Sequence, residues 1–441
     1  MKNKEKLERF ISEQGYDSAL WFIEFVNETS QQLRIRDIED KKNYLAGKGH
    51  IVTKRPLEYF AGKPVDPRKV VLQYARSLIE YAVSYLLGNG ITYSGDEQIV
   101  RELNKLNKRL FDGIDYDIVE NVYSYGNAWE LLYNSNDIVK SSLIDPLDAY
   151  PIIDNQGEYI AFVECYTVNG VTQWNVFVDR EVHKYSDAGG EVHLLGTYRN
   201  IGGLPINYRN SNPLDTVFGM SDLDNYISIL DNIEEVFSKS LDGYYRLMHG
   251  ILVQKGNLIT NYDVPQHGTG YGIILETDGE LEIVKSAFDH QAFETLYNYL
   301  MMSLMDISSS PAVAMGKVDI SNLSEISLKL TFTNTNLRSK HRERFIKEGL
   351  YQRLDKLRVL LEAQGKYYSN EAWDSINITF NYAMPTSQTD IINNLKTLRE
   401  MDAVSRETMM KYAEYITDIG SELQTLQREK NEQDATDTPQ R

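Results

Sequence analysis

The residues able to do chemistry in this sequence are few, and their spacing does not bring them together. Gly47-Lys48 and Gly62-Lys63 come nearest to a nucleotide-binding loop, but each lacks the preceding glycine and the following hydroxyl of G-x-x-x-x-G-K-[ST], so neither can cradle a triphosphate. Gly268-x-Gly270-x-Gly272 has no strand-turn-helix unit around it and reads as a β-loop. The single cysteine, Cys165, allows no intrachain disulfide, and in its strand-like surroundings it reads as a core residue. The seven histidines are scattered, and neither His-Glu-x-x-His nor Gly-x-Ser-x-Gly occurs. Carboxylate pairs can be drawn anywhere among 64 acids, so their number alone assigns no hydrolase. The residues therefore point to no catalytic group, no cofactor and no metal, and the expectation is a protein that is not an enzyme.

Charge is the stronger signal. The 441 residues carry 46 Lys and Arg against 64 Asp and Glu, a formal net charge of −18. A chain so acidic repels a duplex as a whole, which excludes a conventional DNA wrapper or operator binder. Hydrophobic residues at 42% exclude global disorder, and the length suggests roughly three units. Met1 to Arg9 opens into a charged amphipathic segment with no apolar h-region, and no apolar run reaches membrane-spanning length. The expectation is a soluble protein of a reducing compartment with no membrane contact.

The charges are not evenly spread. Between Asn210 and Ser238 there are six acids (Asp215, Asp222, Asp224, Asp231, Glu234, Glu235) and no Lys or Arg, whereas a solvated helix face normally mixes signs. From Lys329 to Arg358 the balance reverses, with nine Lys and Arg against three acids. The elements that must carry these runs follow from periodicity. Helical spacing covers Lys4 to Arg34 with Gly15 as a break. A second helix is expected from Asp66 to Leu87, with Pro67 near its start and Gly88 beyond its end. Period-two patterning from about Ala128 to Arg199, with turns at Asn169-Gly170 and Asp187-Ala-Gly-Gly190, predicts antiparallel sheet. The acidic run falls on a helix from Asp222 to Met248, with Ser221 at its cap. A small β-rich insertion, a helix from His290 to Asp306 and an ordered loop from Ser308 to Ile320 follow. The basic run lies on a long helix from Ser324 to Gly365, with a kink expected at Thr331-Phe-Thr-Asn-Thr-Asn336, a stretch of poor helix formers. A strand (Ile376 to Tyr382), two helices (Asp390 to Met401, Arg406 to Lys430) and a polar tail complete the chain.

Several phrases in collinear order carry a resemblance. They are Asn43-Tyr-Leu-Ala-Gly-Lys-Gly-His-Ile51, Ala75 to Gly88 with Ile91-Thr-Tyr93, Tyr125-Gly-Asn-Ala-Trp-Glu-Leu-Leu-Tyr133, Ile144-Asp-Pro-Leu-Asp-Ala-Tyr-Pro151, Gly203-Leu-Pro-Ile206, Gly219-Met-Ser-Asp-Leu223 and Ser308-Ser-Ser-Pro311. Together they resemble the portal proteins of tailed bacteriophages, of the type found in long-tailed phages of Gram-positive hosts. The likeness runs from about Asn43 to Lys430, and the first 42 residues take no part in it.

The resemblance implies an α+β portal-type fold. It has a helical and β wing (1–215), two stem helices (216–249 and 290–307), a small β-rich clip (250–289), a channel loop (308–323), a long bent wing helix (324–375) and a short helical crown with a polar, disordered tail (376–441). It further implies a homo-oligomeric ring, dodecameric in this family, assembled in the host cytoplasm and located at the capsid vertex of the virion. Double-stranded DNA would pass through it during packaging and ejection. The partners implied are the terminase large subunit, scaffolding and major capsid proteins, and a head-completion adaptor.

The charge runs then acquire candidate roles. Asp222, Asp224, Asp231, Glu234 and Glu235 would line the channel and repel DNA. Met315, Val318 and Ile320 would pack between neighbouring channel loops, with Lys317 either reaching phosphate or remaining an ordinary surface lysine. Arg338, Lys340, Arg342, Arg344 and Lys347 would pair with acidic faces of neighbouring subunits, or present positive charge to DNA, or form a solvated face. Two other classes stay open on the residues alone, a virion-associated enzyme such as a cell-wall hydrolase and a capsid or tail subunit without a channel.

Overall fold

The computed structural model describes residues 2–17, 19–60, 63–247, 251–255, 280–284, 290–311, 330–384, 388–405 and 408–410, with isolated positions between 422 and 429. The chain divides into two compact units. One comprises Met1–Met315 with Asn334–Tyr382, the other Gly316–Thr333 with Ala383–Arg441.

The first unit begins with α1 (Lys2–Gln14), α2 (Trp21–Val26) and α3 (Thr29–Leu45), broken at Gly15 as expected. The short hairpin β1 (Glu58–Phe60) and β2 (Lys63–Val65) leads into α4 (Tyr74–Leu87). This helix starts eight residues later than its periodicity suggests, because the segment before it gives the backbone donors of Arg68, Val70 and Leu72 to another helix and turns through a left-handed Gln73. After β3 (Ile91–Ser94) come α5 (Glu97–Leu106), a π-turn at Asn107–Phe111 and α6 (Asp112–Tyr125).

The β region is larger than its apolar alternation showed. Strands β4 (Asn127–Ser135), β5 (Ile138–Ile144) and β11 (Ile206–Arg209) form one antiparallel sheet in the order β11-β4-β5. The second sheet has the order β10-β9-β8-β7-β6, from β6 (Ala149–Ile153), β7 (Tyr159–Val168), β8 (Val171–Val178), β9 (Glu181–Ser186) and β10 (His193–Arg199). Asn169-Gly170, both at positive φ, make the β7–β8 turn. Strand β9, with polar Glu181, His183 and Lys184 among its six residues, lies within the stretch expected to be antiparallel sheet. Alternation gives the second sheet two buried faces. Ala161, Val163, Val176 and Val178 pack with Trp21 and Phe22 of α2, while Phe162 and Phe177 pack with Trp129 of the first sheet.

The largest core gathers α4, α6, β4, β11, α7 (Leu223–Leu247), α8 (His290–Ser308) and α9 (Thr333–Ala363). A turn at Phe332 precedes α9, within the stretch where the poor helix formers predicted a break. From the β-rich insertion, β12 (Ile251–Lys255) and β13 (Glu280–Val284) pair antiparallel, and its glycine-rich part lies outside the described residues. After α10 (Asn370–Asp374), strand β14 (Asn377–Phe380) pairs with β3. It therefore sits inside the first unit, whereas the sequence expectation grouped it with the C-terminal crown. In the second unit α11 (Gln388–Glu400) is described, and most of the helix expected from Arg406 to Lys430 is not.

Gly349 is the tightest point on α9. A Cβ there would stand 2.3 Å from Cδ1 of the fully buried Tyr208 ring. Helix propensity alone favours Gly349→Ala by about 1 kcal/mol. Overpacking against the immobile ring should reverse the sign and lower stability by about 1–3 kcal/mol, measurable by denaturant unfolding.

Candidate functional site

The functional candidates lie on α7 and α9, and the two helices meet through buried charge. Asp222, 4% exposed at the start of α7, is ion-paired to Arg342, with Arg338 at 3.8 Å. It also accepts a hydrogen bond from Asn210 Nδ2 at 3.1 Å, while its own backbone N–H donates to the Tyr123 carbonyl. The Arg342 guanidinium lies 4.4 Å above the Tyr123 ring. Ser221 Oγ accepts the Leu223 N–H, as its expected capping role requires. Three helical turns further along α9, on the same face, Arg353 is 1% exposed. Its Nε donates to Glu130 at 2.9 Å and its Nη1 to Asp115 at 2.5 Å, and Glu130 also accepts from Tyr208 and Ser141.

The other acids of α7 form a second ladder, directed at the C-terminal half of α3 and the segment after it. Lys41 reaches Asp224 at 2.9 Å and Asp37 at 2.7 Å, and the Tyr44 hydroxyl donates to Asp231 at 3.1 Å. His50 Nδ1 lies 2.8 Å from the buried Glu234, its Nε2 is 2.8 Å from the Tyr44 carbonyl, and its ring stacks on that of Tyr44 at 3.7 Å. Burial alone would push the imidazole pKa down. The hydrogen bonds to Glu234 and to the Tyr44 carbonyl, with the Glu234 and Asp231 charges, outweigh it, so the pKa lies above its ordinary 6.5.

His50, Asp231 and Glu234 are close enough to suggest a metal site. The geometry favours an ion pair instead. Nε2 faces a carbonyl that can only accept, so it carries a proton, and Nδ1 is at hydrogen-bond distance from a carboxylate.

A third set of contacts explains the late start of α4. Glu234, Ser238 and Asp242, four residues apart on α7, accept the N–H groups of Leu72, Val70 and Arg68 at 2.9, 3.0 and 3.0 Å. Four helical residues rise about 6 Å and two extended residues about 6.6 Å, so alternate donors of the strand meet successive turns of the helix.

These contacts revise the expected site. Asp222 and Glu234 are buried with internal partners and cannot line a channel. Asp231 is occupied by Tyr44, and Asp224 sits at the surface tied to Lys41. Glu235 remains on the outer side, paired with Lys239 one turn away. Of the basic candidates, Arg342 is buried against Asp222 and is not available to a neighbour. Arg338 donates to the Ile307 carbonyl, and Lys347 pairs with Glu343. Lys340 and Arg344 are exposed, and among the described residues neither has an ion pair. Lys356, also part of the basic run, donates to the Gly202 and Leu204 carbonyls, and burial pushes its pKa down to about 8. Met315, Lys317, Val318 and Ile320 lie outside the described residues. The buried Arg353 cluster had no signal in the sequence beyond the charge of a helix that must also bury a face.

Two measurements test this geometry. Asp222→Asn or Arg342→Met alone should cost about 3–5 kcal/mol by leaving a buried charge unpaired, and the double variant should recover much of the loss. For His50 the raised folded pKa means that the stabilisation is full below about pH 6.5 and is lost as pH rises through the folded value. The stability gap between wild type and His50→Gln, from urea unfolding between pH 6 and 9, should therefore shrink with rising pH.

The sequence matches the family model described as phage portal protein, SPP1 Gp6-like, over residues 26–436. Among solved structures, the neck of an empty GTA particle computed with C6 symmetry is similar at TM-score 0.46 and 11% identity, covering 75% of this chain and 85% of that one. The neck of a native GTA particle computed with C12 symmetry is similar at TM-score 0.45 and 11% identity, covering 80% and 95%. No curated protein matches. Among the described residues no helix is long and apolar enough to cross a membrane. The family match spans nearly the whole chain and includes both charged ladders of α7, and by it the protein belongs to the SPP1 Gp6-like phage portal proteins, structural components of the virion.

Proposed function

We propose that this portal protein forms a closed ring, dodecameric as the family resemblance implies, through which double-stranded DNA passes at the unique capsid vertex. In this reading α7 and α8 are the stem, β12 and β13 belong to the clip, and α9 is the long helix of the wing. The ring holds the genome after packaging, releases it at infection and joins head to tail. It works with an ATP-driven terminase large subunit, scaffolding and major capsid proteins and a head-completion adaptor, and performs no catalysis itself.

The observation that carries the reading is the family match over residues 26–436, joined to the charge balance. A conduit must not hold the duplex it passes, and each phosphate contact left unmade lowers the barrier to sliding. The buried acids of α7 are neutralised within the chain, so the repulsion falls to surface acids such as Glu235, effective over about 8 Å at physiological salt.

Light scattering on the purified 50.7 kDa chain should find a particle of about 600 kDa, and averaged end-on images should show a central hole. A strictly monomeric species at all concentrations would refute the ring. Glu235→Lys should leave the ring intact and slow DNA packaging or ejection, and unchanged transit would remove Glu235 from the channel wall.

A further inference from the structure

Arg34 stands out in the first unit as a cation set against a cavity with no carboxylate partner among the described residues. Arg34 of α3 is half-buried. Its Nη2 donates to the Ala149 carbonyl at 2.6 Å, its Nε to Gln31 at 3.1 Å, and its guanidinium lies 5.6 Å from both the Tyr150 and Phe218 rings. Nη1 has no partner among the described residues, and no acid stands within ion-pair distance. Burial pushes the guanidinium pKa down to about 10, as expected of a cation without a counter-ion. Arg34 lines a cavity of about 420 Å³ together with Trp129, Phe218 and Leu214. Asp37, Asp224 and Lys41 also border it, and both acids are already engaged by Lys41, which leaves Arg34 as the cation without a counter-ion.

Leu214 at the cavity edge is 92% exposed, the most exposed large apolar side chain among the described residues. It does not project by default of structure. Its N–H is accepted by Asn212 Oδ1, Asn212 Nδ2 donates to the Phe218 carbonyl, Asp215 Oδ1 accepts from Val217 and Phe218, and Arg209 donates to the Thr216 carbonyl. The loop is fixed on both sides of the exposed leucine.

We propose that this cavity receives a carboxylate side chain from a neighbouring copy of the chain, with Arg34 as its counter-ion and Leu214 as the apolar contact beside it. The inference rests on the ring reading. A ring needs a head-to-tail interface in which two different patches of one chain meet. An unpaired cation in a cavity complements a chain in which 64 acids outnumber 46 bases. A single carboxylate fits better than a DNA backbone, because a run of phosphates would also meet Asp37 and Asp224, which line the cavity.

The test compares the full-length wild type with Arg34→Gln and Leu214→Ser in sedimentation velocity across a dilution series. Each substitution should raise the half-assembly concentration at least about tenfold. Leu214→Ser should leave the thermal midpoint of the unassembled chain unchanged, and a lowered midpoint would instead place Leu214 in its own chain's packing and overturn the proposal. Assembly of both variants at the wild-type concentration would overturn it while leaving the ring intact. A wild type that never associates would remove the ring and this contact together. If Arg34→Gln spares assembly but lowers retention of a labelled duplex in filter binding, the occupant is a phosphate and not a second copy.

Discussion

The structure depends on the rule that a charge taken out of water must find an opposite charge. Helix α9 buries one face, and on that face stand Arg342 and Arg353, three turns apart. Each fixes different partner elements, Arg342 the start of α7 and Arg353 the first turn of α6 together with β4. Neither pair is a large source of net stability, since desolvation offsets most of the attraction. What they supply is registration. A one-residue slide of α9 would leave two guanidinium groups and three carboxylates buried without counter-ions, and would carry Gly349 away from the Tyr208 ring.

How far the sequence could be read follows from the same rule. Periodicity located α7, α8, α9 and the β7–β8 hairpin, because burial of apolar side chains leaves a pattern. It misplaced the start of α4, because residues 66–73 are helix-compatible by pattern while Arg68, Val70 and Leu72 are held out of the helix by acceptors 162 to 174 positions away. Above all, counting charges along the chain treated acids and bases as surface features. The acid-only run on α7 and the basic run on α9 looked like two opposed surfaces, and at Asp222 and Arg342 they are two sides of one buried contact. A net local charge does not say which way its carriers point.

Two of the phrases behind the family resemblance also turn out to be one feature. Gly126 and Gly219 lie with backbones crossed, so that a Cβ on either would stand within 2.3 Å of the other's carbonyl oxygen. Asn127 Oδ1 accepts the Gly219 N–H, and Asn210 N–H donates to the Gly126 carbonyl. The glycines thus hold the end of α6 against the approach to α7, next to the loop that carries Leu214.

The extended segment along α7 has a mechanical meaning. Its three hydrogen bonds to Glu234, Ser238 and Asp242 lie side by side along the helix axis, so a pull along that axis loads all of them at once, as shear. A hairpin pulled at its ends yields one bond at a time. Force along α7 is therefore shared among the three bonds before any of them breaks.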